Sequence, residues 1–126
     1  MPFTLTSPLP SKGVAVPVQA TFTEHKRIPY FPFATNSLSP HLRLFEDKIE
    51  FNVLYWHCRK LGELELVDAF SWKLNKSVVL SWKNTPWTFT AGLIVLPRLV
   101  EVLRFFARKN IALSPRARRL LDESNL

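Results

Sequence analysis

Ser77–Gly92 reads SVVLSWKNTPWTFTAG, and this stretch decides the fold. Two runs rich in β-branched and aromatic residues, Ser77–Trp82 and Trp87–Ala91, flank Lys83, Asn84, Thr85 and Pro86, a turn-forming quartet. A four-residue loop sets Trp82 opposite Trp87 and Leu80 opposite Phe89. Ser81, Lys83, Thr88 and Thr90 then share the other face, so the hairpin has one apolar side and one polar side. Both tryptophans are expected in a core rather than on a binding platform, as is usual for large aromatics in small β domains.

Upstream the same period continues. Leu64–Trp72 reads as a strand joined to the hairpin through residues 73–76. Before it, Leu42 and Leu44 alternate with Arg43, and Ile49, Phe51, Val53 and Tyr55 alternate with Glu50 and Asn52. A turn at Glu46, Asp47 and Lys48 makes these two runs a hairpin, and a short strand is expected over His57–Leu61 before Gly62. The first forty residues hold seven of the ten prolines and are a poor place for helix. Val14, Val16, Val18, Ala20 and Phe22 alternate there as one strand, which Pro17 confines to a sheet edge. Ile28–Phe33, dense in aromatics and proline, is expected to be an irregular cover.

Downstream of Gly92 the period lengthens. Leu99, Val102, Leu103 and Phe106 line one face of a helix over Pro97–Lys109, with Arg98, Glu101, Arg104 and Arg108 on the other and Asn110 as terminator. Ser114 and Pro115 start a second helix reaching about Glu123. Fewer than about 12 residues rarely hold a helix in water, so its apolar stripe (Leu113, Ala117, Leu120, Leu121) must dock on something or fray. The chain thus divides into a proline-rich arm with one edge strand (1–40), a β domain with its closing helix (41–113) and a short basic helix or tail (114–126).

A chain of 126 residues with 47% hydrophobic and 21% charged residues is globular and buries roughly two thirds of its unfolded surface. Cys58 is the single cysteine, which leaves no internal disulfide and no cysteine-rich zinc site. Met1–Pro10 lacks the basic start and apolar run of a secretory leader, and no apolar run approaches the length of a spanning helix; the expected address is cytoplasmic, with a peripheral association at the membrane open to it.

Catalytic chemistry has little to stand on. With only three glycines, no phosphate-cradling loop exists. His25, His41 and His57 fit no metal spacing, and His57 and Cys58 are strand neighbours that face opposite ways. Glu63 and Glu65 would share a strand face, but ordinary alternation with Leu64 and Leu66 explains them as a solvated edge. The expectation is a protein that is not an enzyme and uses no cofactor or small-molecule substrate.

Charge points elsewhere. Seventeen Lys and Arg against ten Asp and Glu give a net charge of +7, and between Arg98 and Arg119 seven basic residues meet one acid, Glu101. Arg104, Arg108, Lys109, Arg116, Arg118 and Arg119 are therefore the candidate partner-binding residues. Such a cluster suits a polyanion, whether an acidic protein surface, an anionic lipid surface or nucleic acid; a merely solvated face explains it equally.

The segments "LRLFEDKIEF", "LGELELVDAFSW", "VVLSWKNTPWTF" and "PRLVEVLRFFARKNI" together, spanning Leu42–Ile111, resemble the pleckstrin-homology-like domains of bacterial proteins. The resemblance implies a mainly β fold: a bent antiparallel sheet or partly open barrel of about six to seven strands, its open end plugged by the amphipathic C-terminal helix. It also implies a non-catalytic module that binds lipid headgroups, peptides or neighbouring proteins. Phosphoinositide-binding members use a basic loop between the first two strands; Glu46, Asp47 and Lys48 stand there in this chain and are net acidic. The expected function is a binding or scaffold module that engages a protein partner or an anionic membrane surface through its basic C-terminal segment. The alternative is a small basic nucleic-acid-binding protein.

Overall fold

The computed structural model describes residues 3–6, 8–53 and 55–124, with 28–33 described by their backbone alone. Among these the chain forms nine strands and two α-helices. The strands are β1 (Val14–Ala15), β2 (Ala20–His25), β3 (Ile28–Asn36), β4 (His41–Leu44), β5 (Lys48–Val53), β6 (Tyr55–Lys60), β7 (Leu64–Trp72), β8 (Asn75–Trp82) and β9 (Trp87–Gly92). The helices are α1 (Leu96–Arg108) and α2 (Pro115–Ser124), and a 3₁₀ turn at Leu61–Glu63 joins β6 to β7.

Two antiparallel sheets result, in the orders β1-β4-β5-β6 and β3-β2-β9-β8-β7. The hairpin register is as the alternation implies, with Leu80 opposite Phe89. Alternation also decides what meets between the sheets. Leu42, Leu44, Ile49, Phe51 and Val53 enter from the first, and Val67, Ala69, Val78, Leu80, Trp82, Phe89 and Ala91 from the second. Phe51 is the contact point, its ring centroid 4.1 Å from Phe89 and 5.7 Å from Trp82.

Helix α1 plugs one end of this sandwich against β7 and β8 with Leu99, Val102, Leu103 and Phe106, all buried. It starts one residue earlier than expected, after Val95, which lends no side-chain cap. Its end is a full Schellman closure: Asn110 takes φ 59°, its N–H bonds to the Ala107 carbonyl at 3.0 Å, and the Ile111 N–H bonds to that of Phe106 at 3.1 Å.

The N-terminal region corrects the expected arm. Val14–Phe22 is two strands in different sheets: β1 is an edge of the first, whereas β2 lies inside the second between β3 and β9. Pro17 falls in the crossing between them. Ile28–Phe33 is the greater part of strand β3 rather than an irregular cover, and its prolines are tolerated because β3 is an edge. Leu5 and Leu9 are buried, and the helix face expected to be solvated grips this segment: the Leu5 N–H donates to Glu101 Oε1 at 2.8 Å, and Arg108 donates to the Leu5 carbonyl. Phe105, on that side of α1, is buried too. The strand count exceeds six or seven because three strands precede residue 41.

Helix α2 docks on the domain itself. Residues 112–114 run beside the edge of β7, with the Val67 N–H bonded to the Ala112 carbonyl and the Ser114 N–H to the Val67 carbonyl, each at 2.9 Å. Ala117 and Leu121 are buried, so the apolar stripe needs no outside partner.

Candidate functional site

Four of the six basic residues singled out in the sequence are engaged within the fold. Arg104 pairs with Glu101 at 2.8 Å, Lys109 with Glu46 at 3.1 Å, and Arg108 holds the N-terminal segment. The Leu9 backbone N–H, then Lys109, hold the Glu46 carboxyl below its usual range. Arg116 forks onto Asp68, with Nε at 3.2 Å from Oδ1 and Nη2 at 2.6 Å from Oδ2, while its guanidinium lies 3.7 Å from the centre of the Phe70 ring. Ser114, the N-cap of α2, donates to the same Asp68 Oδ1 and accepts the Ala117 N–H at 3.0 Å. Burial works against the charge on Asp68, but the bonds from Arg116, Ser114 and the Ala69 N–H outweigh it and keep the carboxyl below its ordinary value. Arg108, Arg118 and Arg119 are exposed, and of these Arg118 and Arg119 have no side-chain hydrogen bond or ion pair among the described residues.

The carboxylates Glu63 and Glu65 do not share a strand face either. Glu63 sits in the 3₁₀ turn 4.0 Å from Arg59, and Glu65, at a bulge in β7, pairs with Lys26 at 3.0 Å. Among the described residues no three His, Cys, Asp or Glu side chains gather as metal ligands, and no helix is long and apolar enough to cross a membrane.

What the fold does leave open is the edge of the first sheet at β6. There β6 is the outermost strand of its sheet, and none of its side chains is buried. Tyr55, His57 and Arg59 point toward the second sheet; Trp56, Cys58 and Lys60 point away. A cleft of about 280 Å3 lies between these inward residues and the ends of β8 and β9, walled by Phe51, Trp82, Trp87 and Phe89.

Each wall has a support. His57 stacks on Phe51 at 5.0 Å, the Arg59 guanidinium lies 5.2 Å from the Trp82 ring, and His25 braces Trp87 edge-on at 5.2 Å. On the far face of β6, Trp56 packs on His41 at 4.4 Å, and His41 Nε2 lies 3.1 Å from Glu50 Oε1. The cleft therefore presents aromatic faces and polar tips, and its rim is a strand edge. Every second residue of an antiparallel edge strand turns its N–H and C=O outward, where a further strand can pair.

The expectation that the tryptophans are core residues holds only for Trp82, which is 3% exposed. Trp56, Trp72 and Trp87 are exposed. Trp87 does share the inward face with Trp82, but it is the first residue of β9 and is 41% exposed at the mouth of the cleft. The signal that could have drawn attention to β6 is a missing one: YWHCRK is the strand without apolar alternation. No protein-family model matches the chain, and no curated protein matches it.

Proposed function

We propose that this protein is a non-catalytic binding module that takes an extended segment of a protein partner along β6, over the aromatic cleft. The observation that carries this reading is the conjunction of an unpaired strand edge with a cleft of aromatic walls directly behind it. Main-chain hydrogen bonds to β6 would supply affinity, and alternate side chains of the guest would enter the cleft between Tyr55, Trp82 and Trp87. Arg59 and His57 favour a guest with a carboxylate beside its apolar residue. The resemblance of Leu42–Ile111 to pleckstrin-homology-like domains agrees with a module of this kind. The C-terminal arginines move to a lesser role: Arg118 and Arg119 add to the positive field that attracts an acidic partner.

The test is selection of a random peptide library on the immobilised protein, followed by titration of the best binder. Alternate backbone N-methylation of that peptide should abolish binding, and the double substitution Tyr55→Ala with Trp87→Ala should weaken it about a hundredfold, as for loss of two aromatic anchors. Undiminished binding by the N-methylated peptide rules out strand addition.

Trp56 and Tyr55, exposed beside Arg59 and Lys60, also support a second reading, single-stranded nucleic acid stacked along β6. Tight binding of an oligouridylate with a steep salt dependence, lost in Trp56→Ala, would favour it over a peptide.

A further inference from the structure

Large apolar side chains are exposed at nine positions among the described residues, and five of them, Trp72, Leu74, Ile94, Val95 and Leu96, lie in or at the edges of two turns. One turn joins β7 to β8 and the other joins β9 to α1. They are side by side: Ser77 pairs with Gly92, and the Leu93 N–H bonds to the Lys76 carbonyl at 2.6 Å. The five thus crown the end of β8 and β9 opposite the aromatic cleft. Exposure there is high, 71% for Trp72 and 87% for Leu74, where a hairpin tip would ordinarily be polar.

Both turns are strained in the service of that display. Three non-glycine residues among those described have positive φ: Asn110 closes α1, and the other two, Lys73 at 50° and Ile94 at 69°, are in these turns. Lys73 occupies a two-residue hairpin loop where glycine or asparagine is the ordinary choice. Ile94 is the centre of a γ-turn, with the Val95 N–H bonded to the Leu93 carbonyl at 2.7 Å, and a β-branched residue is the least suited to that conformation. Arg98 braces the turn by donating to the Leu93 carbonyl at 3.0 Å.

Charge completes the pattern. Residues 69–100 contain no Asp or Glu, and Lys73, Lys76 and Arg98 stand in or beside the two turns. Lys73 Nζ lies 5.7 Å from the centre of the Trp72 ring, and Lys76 Nζ donates to the Lys73 carbonyl. Tryptophan with aliphatic residues in front and cations behind is the arrangement that partitions into an anionic lipid interface, where the ring takes the headgroup level and the cations meet phosphate.

We propose that this end of the molecule docks on an anionic lipid bilayer, with Trp72, Leu74 and Ile94 entering the interface and Lys73 and Lys76 against the lipid phosphates. The surface is separate from the β6 cleft and stands independently of what that cleft binds.

Sedimentation with unilamellar vesicles tests it. The protein should bind phosphatidylcholine vesicles containing a third phosphatidylserine, bind pure phosphatidylcholine far less, and come off as salt rises. Inorganic phosphate at matched ionic strength should not compete, which separates a bilayer from free phosphate. Leu74→Ser should weaken vesicle binding about tenfold. Ile94→Asn should weaken it comparably while the melting temperature stays level or rises, because asparagine tolerates the left-handed conformation. Failure of the wild-type protein to bind, equal binding to both vesicle types, or wild-type binding by both variants would each overturn the proposal. So would variants that keep vesicle binding but lose a protein partner.

Discussion

Replacing Asp68 by Asn tests how the C-terminal helix is held. Four donors converge on this half-buried carboxylate: Ser114 Oγ, Arg116 Nε and Nη2, and the Ala69 N–H. An asparagine keeps one acceptor oxygen for Ser114 and Ala69 but turns an NH₂ group toward Arg116 Nη2, donor against donor. A hydrogen bond to a charged group is worth about 1.5–3 kcal/mol when buried. Arg116 is 41% exposed, so solvent screening brings the expected loss to about 2 kcal/mol. For a domain of this size that is a fall in melting temperature of about 7 °C.

The pH dependence of that loss identifies its source. A carboxyl whose folded pKa lies below its unfolded value stabilises the fold fully above the ordinary carboxylate range, and this stabilisation is lost as pH falls through the folded pKa. The gap between wild type and Asp68→Asn, followed by circular dichroism melts, should therefore be largest at neutral pH and shrink below about pH 4. Hydrogen exchange at the Val67 and Ser114 amides, which tie residues 112–114 to β7, should quicken in the variant at neutral pH. An equal gap at neutral and strongly acid pH would show that the charge contributes nothing. No gap at all would mean that Ala117 and Leu121 hold the helix unaided.

Phe106→Ala should cost on the order of 3 kcal/mol in urea melts, because the ring is 1% exposed and its removal takes a large side chain out of the core; an unmoved midpoint would place it outside the core. Gly13→Ala should destabilise by about 2 kcal/mol, since Gly13 has φ 74° and a Cβ there would stand 2.8 Å from the Phe45 ring and 2.9 Å from the Leu44 carbonyl oxygen. Arg118→Ser and Arg119→Ser should leave the melting temperature within about 1 °C, whereas Arg116→Ser should lower it measurably; equal effects from all three would refute the assignment of Arg116 to the Asp68 clasp.

The meander β7-β8-β9 and helix α1 were legible in the sequence because their signals are local. Alternation and turn residues fix the pairing of Leu80 with Phe89, and a helical stripe ending at Asn110 fixes α1. Residues 14–22 misled because a period of two reports which face a residue takes, not which sheet it belongs to. The alternation runs unbroken past Pro17 while the chain leaves one sheet for the other. Trp87 obeyed its face and still emerged, since a residue's face does not fix its exposure at the end of a strand. The docking of α2 was hidden for another reason: its clasp is a single aspartate 46 residues back from Ser114, on another element, and no local pattern announces it.

The position of β2 has a consequence for how the chain reaches this state. Its neighbour β3 follows immediately, but its other partner is β9, so that Ala20 must find Gly92 across most of the polypeptide. The entropy of closing that loop is lost before any of its contacts are gained. The meander from β7 to β9 can assemble quickly, and the β2–β3 hairpin then waits with a bare edge for β9 to present itself. Refolding should accordingly fall in the millisecond-to-second range of β-rich topologies, with that waiting hairpin as the species that aggregates when the protein is refolded at high concentration.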